Sequence, residues 1–591
     1  MYSTIEKTNY RKDIDGLRAL AVLVVFIFHC GYLPVGYLGV DIFFVISGYL
    51  ITKIIYLKSL ESKFSITDFY IRRIRRIIPL VSFFCLFTLV VGLFTMLPDD
   101  LENLAQSIVA TNFFGNNILQ YLTTSNYWDV VNEFKPLMHT WSLGIEEQYY
   151  FLYPFLFLVL RGKLLRYVLP LLMGLTIFSL GCHILIDDTA ANFYLLPSRF
   201  YELSIGGIGA VLFRNNLIIT KTRIFYILFL VVLCILEIPF LPKPLLIPLV
   251  VLLTLAILIT TSSQKSLSTW VLENKISVGI GKISFSIYMW HQVLLAFARY
   301  FILDDLTVPL IAVFSIFTIL LSITTYYFIE QPFRDKKKLS TKRVLYILSL
   351  VIFLTTISSL FIYCRAGVIK DIPELGISKT NVTRGMHAKY NDRINEFDQD
   401  FSNDGKTKVL VVGDSFGRDW ANVLIESKYA GFLDLVYIDT NRGQRDTLLA
   451  QIRDADIVFW SQFSMEDMDQ WILEQRSIKK IWSVGTKNFG VNNGKFYNYY
   501  GADYCRQRTH MEDGYLLLNR KLKEAMPEKY IDLIALIIDK NLSVPVFTEE
   551  CQFISQDTRH LTKSGAQYFA KLIENQPDFI LNRVFKEELN P

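Results

Sequence analysis

The chain alternates between long apolar stretches and short polar gaps over its first 363 residues. Eleven apolar runs lie near 17–33, 36–56, 77–97, 147–160, 167–186, 200–213, 223–241, 244–261, 283–302, 308–328 and 343–363. Runs of this length predict helices that cross a bilayer; the fourth and sixth are short. The gaps differ in charge. One set holds Lys7, Arg11, Lys12 and Arg18; Arg72, Arg73, Arg75 and Arg76; Arg161, Lys163 and Arg166; Arg214, Lys221 and Arg223; Lys265, Lys275 and Lys282; and the basic cluster from Arg334 to Arg343. The alternate gaps hold little beyond Lys135, Arg199 and Lys243. This asymmetry predicts a cytoplasmic N-terminus. An odd number of crossings then delivers the rest of the chain to the far side.

Beyond the eleventh run the pattern changes. Residues 364–406 are polar and read as a linker or extension. From Thr407 short β-branched runs appear: Lys408–Val412, Leu435–Ile438, Ile457–Trp460 and Lys480–Gly485, with helix-like segments between them. Strands alternating with helices predict a parallel sheet covered on both faces. Sites in such sheets form at the C-terminal ends of strands.

Composition supports this division. A chain of 591 residues is too long for one core, and 52% hydrophobic with 14% aromatic residues indicates a membrane protein. A net charge of +5 is small for this length and gives no case for nucleic acid. The seven cysteines show no metal-ligand spacing. Five sit in or beside apolar runs, whereas Cys505 and Cys551 stand in the polar part and are free to pair if that part is outside the cytoplasm. The first run has no small-residue cleavage site and reads as an uncleaved span.

Polar groups inside the apolar runs are the candidates for chemistry. Arg18 opens the first run and His29 lies eleven residues on. In a helix that spacing returns to within about 20° of the same face with a rise of about 16 Å, which places His29 roughly at mid-depth. A charged ligand head at the surface with a reactive tail reaching inward suits this geometry. The plain alternative is a snorkelling arginine and a hydrogen-bonded core histidine. Arg72–Arg76 before Pro79 is either a positive-inside anchor or a phosphate-binding cluster of guanidinium forks. Glu146 and Glu147 follow Trp141 and Ser142 at the end of the longest outward gap, as a helix-capping arrangement or a polar site. His291 reads as structural, and Arg199 and Glu202 are expected to pair with each other or with neighbouring helices.

In the polar part, Gly413-Asp414-Ser415 follows the first strand and begins a helix. Asp557 stands three residues before His560 near the other end. Ser415 would need a base; His560, oriented by Asp557, can supply one. Each motif alone is common in turns.

Several stretches together resemble the acyltransferase-3 family over residues 10–334: Tyr10–Ala19, the Arg18/His29 pair, Gly39–Tyr49, Arg73 with Arg76, Trp141–Leu143 with Glu146–Gln148, and Ile287–His291. The resemblance implies ten spans and transfer of an acyl group, usually acetyl, from cytoplasmic acyl-coenzyme A to an extracytoplasmic glycan. It assigns function to Arg18, His29, Arg73, Arg76 and Glu147, with Trp141 and Ser142 in the same motif. Arg72 and Arg75 offer an overlapping pair at the same spacing. The run 343–363 is then an additional crossing. Residues 407–585 resemble the SGNH hydrolase family, which implies Ser415, Asp557 and His560 as its catalytic set. One departure stands out: the usual Gly-x-Asn-Asp block is matched poorly by Gly485–Gly490, which leaves the Ser415 amide as a candidate oxyanion donor and the other donors unassigned.

The expected fold is therefore a multi-span α-helical membrane domain, ten spans plus an eleventh linking span, followed by an α/β SGNH-like (flavodoxin-like) extracytoplasmic domain. The two resemblances in this order resemble bacterial glycan O-acetyltransferases of the inner membrane, with a periplasmic C-terminal domain. They imply acetyl-coenzyme A as co-substrate, contact with membrane lipid, no metal, and a cell-surface glycan acceptor, with lipid-linked lipopolysaccharide O-antigen preferred by analogy and peptidoglycan as the alternative. A proton-coupled or lipid-linked glycan carrier, and a tethered esterase, are the readings of other classes.

Overall fold

The computed structural model describes residues 10–124, 132–214, 217–237, 242–262, 266–302, 307–381, 390–402, 404–440, 445–461, 480–499, 501–512, 514–555 and 557–586. Lys7, Lys265, the end of the 223–241 run, linker residues 382–389 and Gln556 lie outside them. The chain divides into two units, Met1–Phe94 with Leu101–Phe361, and Thr95–Asp100 with Ile362–Pro591.

The first unit is helical. Each of the eleven apolar runs coincides with a helix: α1 (Lys12–His29), α2 (Gly39–Leu60), α3 (Ile66–Thr95), α4 (Thr140–Val159), Val168–Leu185, α5 (Leu196–Leu212), Arg223–Ile235, Lys243–Ile259, α6 (Ser284–Arg299), Val308–Thr325 and Thr341–Cys364. Among the described residues, five helices are long and apolar enough to cross a membrane: Gly36–Leu60, Ile66–Thr95, Gly162–Leu185, Val308–Arg334 and Thr341–Cys364.

Three boundaries differ from the apolar pattern, each for a local reason. The first run was expected to continue to residue 33, with His29 at mid-depth. Instead α1 stops at His29. Gly31 adopts φ +87°, its N–H reaches the Phe28 carbonyl (2.9 Å), and the Tyr32 N–H reaches the Ile27 carbonyl (3.3 Å). This left-handed cap terminates the helix, so His29 is its last residue. Second, α3 begins eleven residues before the apolar run and carries all four arginines, with Pro79 inside it. Third, α4 begins at Thr140, so Trp141 to Glu147 is helical and not a loop.

The helices pack closely through small residues. A Cβ on Gly48 of α2 would lie 1.8 Å from the Leu203 carbonyl oxygen, and one on Gly206 of α5 would lie 2.1 Å from that of Val45. Only glycine at both positions lets these backbones touch. Beside this contact Arg199 bonds Asp41 (2.6 Å) and Glu202 (2.8 Å), all fully buried. The expected Arg199 pairing thus includes both its own helix and a neighbour.

The second unit contains a five-stranded parallel sheet: β1 (Thr407–Gly413), β2 (Leu433–Asp439), β3 (Ile457–Ser461), β4 (Ile481–Val484) and β5 (Tyr530–Ile531), in the order β2-β1-β3-β4-β5. The alternation of β1 splits its side chains between two cores. Val409 and Val411 meet Trp420 of α7 (Ser415–Ile425) and Phe569 of α8 (Lys563–Glu574); Leu410 and Val412 meet Val458, Leu522 and Met526. Both sheet faces are therefore covered. A separate antiparallel ribbon pairs Arg508–His510 with Ser543–Pro545. Cys505 and Cys551 form a disulfide, with Cα atoms 4.9 Å apart.

Candidate active sites in the two units

In the helical unit a cavity of about 830 Å³, counting the space at its mouth, is lined by Arg18, Arg73, Arg76, Ser142, Glu146, Tyr150 and Tyr288 together with apolar residues of α2. Two helices contribute the guanidinium set: Arg18 from the second turn of α1, Arg73 and Arg76 from adjacent turns of α3. Arg18 also lies 3.6 Å from Asp15, and Arg73 lies over the Tyr150 ring at 4.8 Å. The overlapping pair points elsewhere. Arg72 lies 3.9 Å from Asp68, and buried Arg75 donates to the Leu339 carbonyl (2.7 Å). The helical geometry of α3 thus separates two pairs that share one spacing.

α4 presents Ser142, Glu146 and Tyr150 to the cavity, residues four apart on one helical face. Glu146 accepts from Ser47 Oγ (2.7 Å) and Tyr150 OH (3.2 Å). Glu147 is not on the cavity wall, and its buried Oε1 has no hydrogen-bond partner among the described residues. Trp141 packs on Phe193 (4.6 Å) and Tyr194 (5.5 Å), under the Arg199 guanidinium (5.8 Å).

His29 is not on the cavity wall either. Its ring lies 5.1 Å from that of His291 on α6, and the Arg299 guanidinium donates to its carbonyl (3.4 Å). His139 lies 5.4 Å from His291 and 5.2 Å from Tyr288. Tyr288 joins this imidazole group to the cavity: its hydroxyl bonds Ser142 Oγ (2.7 Å) and donates to the His139 carbonyl (2.7 Å). The family resemblance pointed to Glu147; the four-residue spacing of Ser142, Glu146 and Tyr150 is the sequence signal that points to Glu146.

In the second unit Ser415 is the first residue of α7, directly beyond β1 and beside the point where the strand order reverses. Asp414 caps the helix by accepting from the Phe416 amide (2.8 Å). His560 Nε2 lies 2.9 Å from Ser415 Oγ, and its Nδ1 lies 2.6 Å from Asp557 Oδ2. Asp557 Oδ1 accepts from the His560 and Arg559 amides (2.8 and 3.0 Å). Burial acts to raise the Asp557 carboxyl, but the His560 charge and these hydrogen bonds outweigh it and hold the group down at about 2. Serine, imidazole and carboxylate, 145 residues apart in sequence, thus stand in line.

Two further residues, which the sequence did not single out, brace this site. Lys487 bonds Asp419 (2.8 Å), both 1% exposed, and its ammonium lies 4.0 Å over the Phe416 ring. Asp419 also accepts from the Leu561 amide (3.0 Å), next to His560. In the Gly485–Gly490 segment the Gly485 amide is bonded to the Ile531 carbonyl (2.8 Å), and Asn488 Oδ1 accepts from the Gly490 and Glu512 amides. Its oxygen thus holds the loop.

Comparison with known proteins agrees with the helical unit. Residues 11–327 match the family model described as "Acyltransferase domain". A Staphylococcus aureus (strain MSSA476) protein, provisionally named an O-acetyltransferase, is 31% identical over 364 residues, covering 57% of this chain and 59% of its own. The O-acetyltransferase OatA of S. aureus strain NCTC 8325 is 31% identical over 360 residues, covering 55% and 58%. The chain thus spans about three-fifths of the length of these relatives. No solved structure matches.

Proposed function

Since the chain belongs to the acyltransferase family whose model covers residues 11–327, we propose that it transfers an acetyl group from cytoplasmic acetyl-coenzyme A to a sugar hydroxyl of a cell-surface glycan. The observation that carries this reading is the convergence of Arg18, Arg73 and Arg76 on one cavity. Guanidinium forks match phosphate oxygens, and a cavity walled otherwise by Phe43, Phe44, Leu50 and Ile77 suits the flexible arm of coenzyme A. His29 serves as general base toward the acceptor or carries the acetyl group briefly. Glu147, Trp141 and Ser142 complete the membrane set, Ser142 through its contact with Tyr288.

The second stage rests on the other unit, read as an SGNH hydrolase-like domain on the strand order and the Ser415–His560–Asp557 line. Ser415 Oγ attacks the acetyl carbonyl while His560 takes its proton; the bond from that carbonyl to the group that delivered the acetyl breaks, and His560 passes the proton to this leaving group. Asp557 stabilises the imidazolium that forms. The acetyl ester then passes to a sugar hydroxyl, whose proton goes to His560 and on to the departing Ser415. No water is consumed.

The topology proposed is ten spans and an eleventh linking span in the bacterial inner membrane, N-terminus in the cytoplasm and C-terminal domain in the periplasm. The charge asymmetry of the gaps and the Cys505–Cys551 disulfide support it. The acceptor proposed is lipid-linked O-antigen, with peptidoglycan as the competing acceptor in the same assay.

Membranes containing the protein, labelled acetyl-coenzyme A and either acceptor test this. Label should reach glycan with wild type and be lost in both His29→Ala and Ser415→Ala. Transfer retained by Ser415→Ala would limit the outer domain to glycan binding, and net release of acetate from glycan would make it an esterase.

A further inference from the structure

His291 is completely buried in α6, and its Nδ1 lies 2.6 Å from the Tyr288 carbonyl oxygen. A carbonyl only accepts, so Nδ1 carries the hydrogen and Nε2 presents a lone pair. That Nε2 is buried with no hydrogen-bond partner among the described residues. Leaving a buried polar atom unpaired costs about 1–3 kcal/mol, so a purely structural role accounts poorly for an imidazole here. Its ring is 5.1 Å from that of His29 and 5.4 Å from Tyr288. Tyr288 and its partner Ser142 both face the arginine-lined cavity. The Tyr288 and His291 rings therefore stand between the cavity wall and the His29 ring, in ring contact and not in direct hydrogen bond with one another. At the far end, the Arg299 guanidinium sits against the His29 carbonyl.

We propose that His291 is the proton-relay partner of His29, an assignment that rests on the acetyl-transfer reading above. In the step concerned, which belongs to the membrane unit, the O–H bond of the group that first accepts the acetyl breaks, an O–C bond forms to the acetyl carbon and the C–S bond of the thioester breaks. The hydroxyl proton goes first to His29, then to His291 Nε2. The Tyr288 carbonyl stabilises the resulting imidazolium through Nδ1–H. The proton returns by way of the Tyr288 and Ser142 hydroxyls to the thiolate left in the cavity, which becomes the thiol of coenzyme A. Charge and atoms balance with no further reactant. His291 acts through His29 and does not itself touch the reacting atoms.

The test uses the full-length protein in membranes with labelled acetyl-coenzyme A and glycan acceptor. His291→Asn keeps an amide donor for the Tyr288 carbonyl but cannot accept a proton. It should lower kcat at least tenfold with KM for acetyl-coenzyme A within twofold of wild type. Wild-type rates in mixtures of H2O and D2O should curve with isotope fraction, as more than one proton in flight requires. A kcat within twofold of wild type in His291→Asn, or a straight wild-type isotope profile, overturns the relay. If the variant does not accumulate, the wild-type profile decides alone. Failure of wild type to transfer acetyl overturns both the relay and the reading beneath it, whereas transfer by wild type with an unaffected variant overturns the relay only.

Discussion

Replacing Asp557 by Asn removes one charge from the serine site and little volume. The carboxylate is held at about 2 against an ordinary value of 3.8, chiefly against burial, by the His560 charge and by amide hydrogen bonds. A shift of this size corresponds to roughly 2–3 kcal/mol of preference for the ionised form. Because the folded value is depressed, this stabilisation is fully present above about pH 4 and is lost only as the pH falls through 2. The same attraction stabilises the imidazolium formed when Ser415 attacks, so its loss should slow acylation about a hundredfold. A second effect adds to the first. The Asn amide can place a donor opposite His560 Nδ1, which moves the imidazole hydrogen to Nε2, where it blocks proton uptake from Ser415; a wrong tautomer of this kind costs up to about 10⁴. The assay is acid-quenched trapping of labelled acetyl-enzyme in the full-length protein, with Ser415→Ala as blank. A rate for Asp557→Asn within threefold of wild type would refute the assignment of Asp557. So would an acid limb between pH 5 and 3 in wild type that disappears in Asp557→Asn, since the carboxylate remains ionised over that range.

Three other outcomes are expected. Arg73→Ala and Arg76→Ala should each raise KM for acetyl-coenzyme A at least tenfold, about 1.4 kcal/mol per lost phosphate contact, whereas Arg72→Ala should leave it within twofold, as steady-state transfer assays will register. Gly48→Leu should abolish monodisperse protein in size-exclusion chromatography, because the added Cβ alone meets the Leu203 carbonyl oxygen at 1.8 Å. Cys505→Ser should destabilise the second unit by roughly 4 kcal/mol from the lost constraint on its unfolded loop, read as a lower melting temperature that reductant reproduces in wild type.

Much of this architecture was legible in the sequence because its causes are local. Apolar runs became helices one for one, and the short β-branched run Lys408–Val412 became an inner strand of a doubly covered sheet. The Ser415, Asp557 and His560 motifs were found because the SGNH resemblance pairs them across 145 residues. Boundaries were less legible, since hydropathy does not register a left-handed cap: Gly31 stops α1 although Tyr32 and Leu33 continue the apolar run. Of the adjacent carboxylates, only Glu146 faces the cavity, and this depended on α4 starting before the apolar run does. Lys487 and Asp419 escaped notice because a buried ion pair between distant segments has no sequence period at all.

The stop at Gly31 makes α1 a ruler of fixed length. Arg18 and His29 are joined by uninterrupted helix, so their separation cannot stretch to suit a longer or shorter acyl donor. One residue inserted between them swings the imidazole by about 100° and advances it about 1.5 Å; seven inserted residues restore the direction but add about 10 Å. On the acetyl-transfer reading proposed above, donor length would be gauged by residue count along one helix, and variation in chain length among donors would be absorbed on the softer apolar wall contributed by α2.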